Sequence, residues 1–257
     1  MTMTDLAQLA ELLDTAVRTA TAVAQISDET ALDVAQAYEV QALSMQRRYD
    51  RGERRIGVKM GLTSRAKMAQ VGVHDVTWGR LTDAMRIEDG GSLSRARFVH
   101  PRIEPEIAFL MKAPLAGNVS PLEVMAAVEA VAPALEIIDS RYRDFKFDLG
   151  DVIADNSSSS GFVIGAPVAA GTDLANLGMV LSVDGRPVET GSSAAILGHP
   201  LRALVAAARM VAAAGETLAP GDIVLAGAAT AAVPLAPGQS VSLRVQSMGS
   251  VAVNVEE

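Results

Sequence analysis

The sequence predicts an α+β protein in which a helical N-terminal segment, residues 1–52, packs on a strand-rich body, residues 53–257. Three observations carry this. Leu6, Leu9, Leu13, Val17 and Ala20 recur at three- and four-residue steps, and Val34, Tyr38, Met45 and Tyr49 repeat the pattern less strictly. From Ile56 onward the pattern turns to short β-type runs separated by turn residues. Helices and strands do not alternate regularly, which disfavours a doubly wound parallel sheet.

Gly52 is a stop for the second helix. "RIGVKMGLT" reads as a strand, and "SRAKMAQVG" after it as a short helix capped by Ser64 and ended at Gly72. "SPLEVMAAVEAVAP" begins with Ser120 as N-cap, Pro121 at the first helical position and Glu123 completing a capping box. Its helix is expected to run to Pro133, with "ALEIIDS" following as a buried strand. Asp184-Gly185 turns a hairpin in "LSVDGRPVE". "HPLRALVAAARMVAAAG" is an apolar-faced helix closed by Gly215, and the tail from Asp222 reads as several strands.

Composition excludes several classes. An apolar content of 49% is ample for a core, yet no apolar run approaches the roughly 20 residues of a membrane span. The start "MTMTDLAQLAELL" lacks the basic and apolar blocks of a signal peptide. With no cysteine there are no disulfides, thiolate metal sites or cysteine nucleophiles, and a cytoplasmic protein is expected. A net charge of −8 and 4% aromatics argue against nucleic acid. The one dense basic run, Arg47, Arg48, Arg51, Arg54 and Arg55, reads as a solvated helix end.

Chemistry concentrates in "HPRIEPEIAFL". Glu104 and Glu106 share one strand face, where like charges repel unless a cation lies between them. Pro105 cannot donate to a ladder, which predicts an edge strand or a bulge. Glu136 follows Glu106 by 30 residues, an interval suited to a strand–helix–strand return. It sits among Leu135, Ile137 and Ile138, where an unpaired carboxylate would be costly. Three carboxylates without cysteine make an all-oxygen site that suits Mg²⁺, with Mn²⁺ also compatible. The alternative is a solvated strand face unrelated to Glu136.

The ordered segments "GVKMGLTSRAKMAQVGV", "HPRIEPEIAF", "LEIIDSRYRDFKFDLGDVIADNSSSSGFVIG", "LGHPL" and "TAAVPLAPGQSVSLRVQSMGSVAV" resemble the fumarylacetoacetate hydrolase superfamily. The likeness is to its branch of hydratases and decarboxylases from meta-cleavage catabolism of aromatics. This implies a mixed β-roll catalytic body with peripheral helices, a divalent metal on Glu104, Glu106 and Glu136, and Lys59 in the pocket. It further implies substrate contacts from Asn156, Ser158 and Thr230. Homo-oligomers follow from the same likeness, as does a complex with a hydratase that captures the unstable product.

Hydratases of the branch typically carry an Asp where this chain has Thr77, and a threonine hydroxyl is no base near neutral pH. Asp75, two residues earlier, has the same strand parity and keeps hydration open. "KMGLTSRAKM", "DSRYRDFKFD" and "TAAVPL" are closer to the decarboxylase version. The expected activity is loss of CO2 from 2-oxo-3-hexenedioate, a small 2-oxo dicarboxylate. Met60, Leu62 and Trp78 are expected as an apolar wall, although Trp78 reads equally as core. The alternatives are a 2-oxopent-4-enoate hydratase and a non-catalytic subunit; the latter should have lost a ligand or Lys59, and this chain keeps all four.

Only His74, His100 and His199 are present, with no G-x-S-x-G elbow. A C–C hydrolase of the wider superfamily would need a histidine earlier in the chain. His199 before Pro200 reads as a capping or packing residue, and His100 as support behind the ligand strand.

Overall fold

The computed structural model describes residues 1–64, 68 and 75–257. The helix expected over 64–72 lies outside these residues apart from Ser64 and Met68, and so does His74.

Helices α1 (Met3–Thr19) and α2 (Val34–Asp50) form as the apolar spacing predicts. Each opens with a reciprocal capping box, Thr2 with Asp5 and Asp33 with Gln36. Leu6, Leu13, Ala37 and Val40 on their inner faces pack with Tyr142, Ile153 and Ala154. Gly52, at φ +100, lets the chain leave α2.

The basic run is not a freely solvated helix end. Arg51 and Arg47 hold Asp14 of α1 at 2.6 and 3.3 Å, and Arg48 pairs with Glu53 at 2.9 Å. Arg55 reaches Glu216 and Asp222 at 3.4 and 3.2 Å. Asp14 is fully buried, and a buried carboxylate requires such partners.

The body is built from two sheets. Its first seven strands are β1 (Arg55–Gly61), β2 (Thr77–Thr82), β3 (Arg86–Ile87), β4 (Ser92–Ser94), β5 (Arg102–Met111), β6 (Val128–Ile138) and β7 (Ser159–Ile164). The rest are β8 (Val168–Ala169), β9 (Gly178–Val183), β10 (Arg186–Ser192), β11 (Ile223–Leu225), β12 (Val233–Pro234), β13 (Ser240–Val245) and β14 (Gly249–Glu256). The larger sheet runs β2-β1-β11-β5-β6-β7-β3, with β12 beside β5 and β8 beside β6; the smaller runs β10-β9-β13-β14-β4. Between them lies the main core, where Ile103, Ile107 and Leu135 of one sheet join Leu181, Leu243 and Val253 of the other. Asp184-Gly185 makes the predicted hairpin turn, both residues at positive φ.

Helix α3 (Pro121–Ala127) starts at its predicted Ser120 cap but stops six residues before Pro133. The chain from Val128 continues as β6, buried along most of its length. Short α4 (Leu149–Ala154) precedes the 156–158 turn, and α5 (Leu201–Ala213) packs Leu204, Ala207 and Val211 into the main core.

Pro105 does not mark a sheet edge or bulge. β5 is an interior strand, paired with β6 on one side and with β11 and β12 on the other. β11 covers Ala108–Leu110 and β12 covers Arg102–Ile103, so residues 104–107 face a break in that ladder. The Pro105 carbonyl accepts from Ala229 N–H across the break, so its donor-less nitrogen interrupts no strand pairing. Pro133 repeats the device in β6 between β8 and β7, its carbonyl accepting from Gly165 N–H.

Candidate metal centre and substrate cavity

Alternation along β5 and β6 divides their side chains. Ile103, Ile107, Phe109, Leu135 and Ile137 enter the main core, and Glu104, Glu106 and Glu136 leave by the opposite face. Small Ala108, Ala132 and Ala134 beside them leave room. Glu104 and Glu136 are direct cross-strand partners. The three glutamates, all buried, each offer an oxygen within 4.8 Å of the others.

Lys59 of β1 joins them. Its Nζ lies 3.0 Å from Glu136 Oε2 and donates to the Ser157 carbonyl at 3.0 Å. Burial alone would pull the Lys59 pKa down, but the charges of Glu136, Glu104 and Glu106 prevail and hold it above the usual lysine value. Burial pushes the Glu106 carboxyl well up, with Glu136 adding repulsion, and burial likewise raises Glu136 against the pull of Lys59.

The residues fit a divalent cation. Among the described residues, Glu106 Oε1 and Glu136 Oε1 are buried without a hydrogen-bond partner, and Glu136 Oε2 forms an ion pair with Lys59. Orphaned carboxylate oxygens in a close cluster of three glutamates, with no softer donor in it, suit a hard dication. Glu106 Oε2 is held by Gly227 N–H at 2.7 Å. That approach requires glycine at φ +103, because a Cβ there would overlap the Thr63 side chain.

A cavity of about 590 Å³ opens over Lys59 and Glu104. Leu62, Thr77, Ser158, Phe145 and Phe147 line it, with Arg102 toward the same side of β5 as Glu104. Ser158 Oγ is buried there without a hydrogen-bond partner among the described residues. Residues 156–158 are all at φ of 50 to 60°, a left-handed turn that costs energy in non-glycine residues. It directs the Ser157 carbonyl at Lys59. Arg141 braces the turn by binding Asp155 and Ser160 on either side of it. A second cavity of about 340 Å³ near the ends of α1 and α2 holds none of the carboxylate cluster.

Several expected site residues fall elsewhere. Trp78 pairs with Met60 across β1–β2 and faces the core, stacked on Tyr38 at 5.8 Å. Met60 borders the cavity, but strand parity turns its side chain from Lys59 into the core. The Asn156 amide is spent on the Arg80 backbone, accepting at 2.7 Å and donating at 2.9 Å, and so pins β2. Thr230 donates to the Ala231 carbonyl and sets its methyl toward Gly191, leaving Ala228, Ala231 and Ala232 at the cavity. Asp75 is exposed and pairs with Arg209 of α5 at 2.9 Å. His199 Nδ1 accepts from Leu201 N–H, the expected cap. The sequence reading missed Arg102, although it shares parity with Glu104, and it missed Phe145, Phe147 and the Ser157 carbonyl, which carry no local signal.

This metal-competent β-roll defines a class. The fumarylacetoacetate (FAA) hydrolase C-terminal family matches residues 58–256, and the chain belongs to that family. It is 59% identical over 246 residues to a 4-oxalocrotonate decarboxylase of Pseudomonas sp., covering 96% of each chain. With a 2-hydroxyhexa-2,4-dienoate hydratase of Comamonas testosteroni it shares 37% over 248 residues, 94% of each. The structure superposes with a TM-score of 0.96 and 40% identity on 4-oxalocrotonate decarboxylase from Pseudomonas putida G7 complexed with magnesium and adipate, covering 99% of this chain and 98% of that one. No helix among the described residues is long and apolar enough to cross a membrane.

Proposed function

We propose that this protein decarboxylates 2-oxo-3-hexenedioate (4-oxalocrotonate) to 2-hydroxypenta-2,4-dienoate and CO2, using a divalent metal, Mg²⁺ or Mn²⁺, held by Glu104, Glu106 and Glu136. The carrying observation is a cluster of three buried carboxylates with a lysine paired to it, of which Glu104 and Lys59 line one cavity. When bound, the dication supplies Lewis-acid polarisation of the 2-oxo acid head.

The chain's own residues do the rest. Loss of CO2 breaks the C5–C6 bond; its electron pair forms C4=C5, the C3=C4 pair moves to C2=C3, charge collects on the C2 oxygen, and a proton from water on that oxygen gives the dienol. Lys59, kept protonated by the surrounding glutamates, places positive charge near that oxygen. It donates to Ser157 O, pairs with Glu136 and lines the cavity, so as an ammonium it acts as a donor rather than a base. Leu62, Phe145 and Phe147 form apolar wall where the carboxylate departs as neutral CO2.

Hydration needs a base for water. Thr77 lines the cavity where an acid would serve, and Asp75 is committed to Arg209. Relatedness to decarboxylases at 59% identity supports the same reading. A homo-oligomer, a cytoplasmic location and handover of the labile dienol to a hydratase are consistent with it. The purified chain with 2-oxo-3-hexenedioate should release CO2 only when Mg²⁺ is supplied. Water addition to 2-hydroxypenta-2,4-dienoate without CO2 release would show a hydratase instead.

A further inference from the structure

Arg102 lies two residues before Glu104 on β5 and borders the same cavity. Its guanidinium carbon sits 4.2 Å above the Phe145 ring, and it makes no hydrogen bond or ion pair with the described residues. Stacking on an aromatic face fixes the guanidinium plane and leaves its N–H edge available for a planar anion. Two strand residues span roughly 7 Å, comparable to the roughly 5 Å from C2 to C6 of an extended six-carbon acid. Charge points the same way. A dicarboxylate carries a second anionic group beyond its 2-oxo acid head, and a partly apolar cavity holds that group only beside a cation. Arg102 supplies it, at the correct distance along the strand.

We propose that Arg102 is the specificity residue for a dicarboxylic acid, receiving the distal carboxylate of a substrate whose 2-oxo acid end lies at Glu104, Glu106 and Glu136. The inference rests on the functional reading above and adds to it the contact that separates a diacid from the monoacids of related hydratases. It also fixes the kinetic signature. The distal carboxylate loses its charge as CO2 leaves, so a cation there stabilises the bound substrate more than the transition state. Arg102 therefore contributes to KM and selectivity rather than to kcat.

The test is equilibrium binding, in saturating Mg²⁺, of 2-oxohexanedioate and of 2-oxohexanoate. Both are inert to this decarboxylation and differ only in the distal carboxylate. The unsubstituted protein should prefer the diacid by roughly tenfold or more, and Arg102→Met should weaken the diacid by roughly ten- to a hundredfold while leaving the monoacid unchanged. Arg102→Lys should recover part of the preference. In turnover, Arg102→Met should raise KM with kcat unchanged or higher. Equal losses for both ligands, unchanged diacid binding, or a fall in kcat alone would overturn the assignment. If the unsubstituted protein bound neither ligand, the functional reading itself would fail, and this proposal with it.

Discussion

Glu104 and Glu136 face each other directly across the β5–β6 ladder, a position where like charges are destabilising. With Glu106 they form a buried anionic cluster, against which Lys59 sets a positive charge. Without metal, Glu106→Gln should therefore stabilise the protein by about 1–2 kcal/mol, since the amide escapes the burial and repulsion that push this carboxyl up. The same variant should lose the rise in Tm on adding Mg²⁺ and lose turnover. Thermal melts with EDTA and with Mg²⁺ check both; a variant that keeps its Mg²⁺ shift removes Glu106 from the ligand set.

Lys59→Met preserves length and removes the charge. Turnover should fall by roughly 10²–10³ while Mg²⁺ still binds, because Glu136 loses its competing cation. Magnesium titration beside steady-state kinetics separates the two. Loss of metal binding would mean that Lys59 holds the cluster together rather than assisting the reaction.

Asp155 gives a pH test away from the glutamates. Burial raises its carboxyl to about 6, against the opposing pull of Arg141. A folded-state value above the ordinary 3.8 means that the stabilising proton is fully held at low pH and lost as pH rises through 6. Asp155→Asn has no such proton to lose. Relative to that variant, the parent should lose on the order of 3 kcal/mol of stability between about pH 4 and pH 7. Urea melts across that range measure it, and a difference that moves the other way contradicts the assignment.

Gly227→Ala would force a Cβ onto Thr63 from a positive-φ backbone. A loss of about 2 kcal/mol or more in stability is expected, with weaker Mg²⁺ binding because the Glu106 donor shifts. Calorimetry that shows an unaltered metal affinity would mean the Gly227 contact does not set the carboxylate.

The glutamate cluster is legible in the sequence because strand parity is a local property: alternate residues of β5 share a face, and Glu136 is conspicuous in an apolar run. The end of α3 is not legible. "VEAVAPALEII" is apolar on both faces, and such a run suits a buried helix as well as an interior strand. Its Pro133 reads as a helix stop until the gap between β7 and β8 is known. Asn156 is misjudged for a different reason: three successive left-handed residues reverse the local directions, and no propensity argument anticipates them. Parity places Arg102 correctly as soon as Glu104 is taken as a ligand, whereas Phe145 reaches it only through the tertiary fold.

The unbroken pairing of β5 with β6 beneath the glutamates contrasts with the loop segments at 62–64 and 226–232 that surround the opening. The floor of the pocket is thus fixed by a ladder of backbone hydrogen bonds, and its rim is not. Substitutions in the rim would alter which guest fits while the paired carboxylates beneath keep their positions.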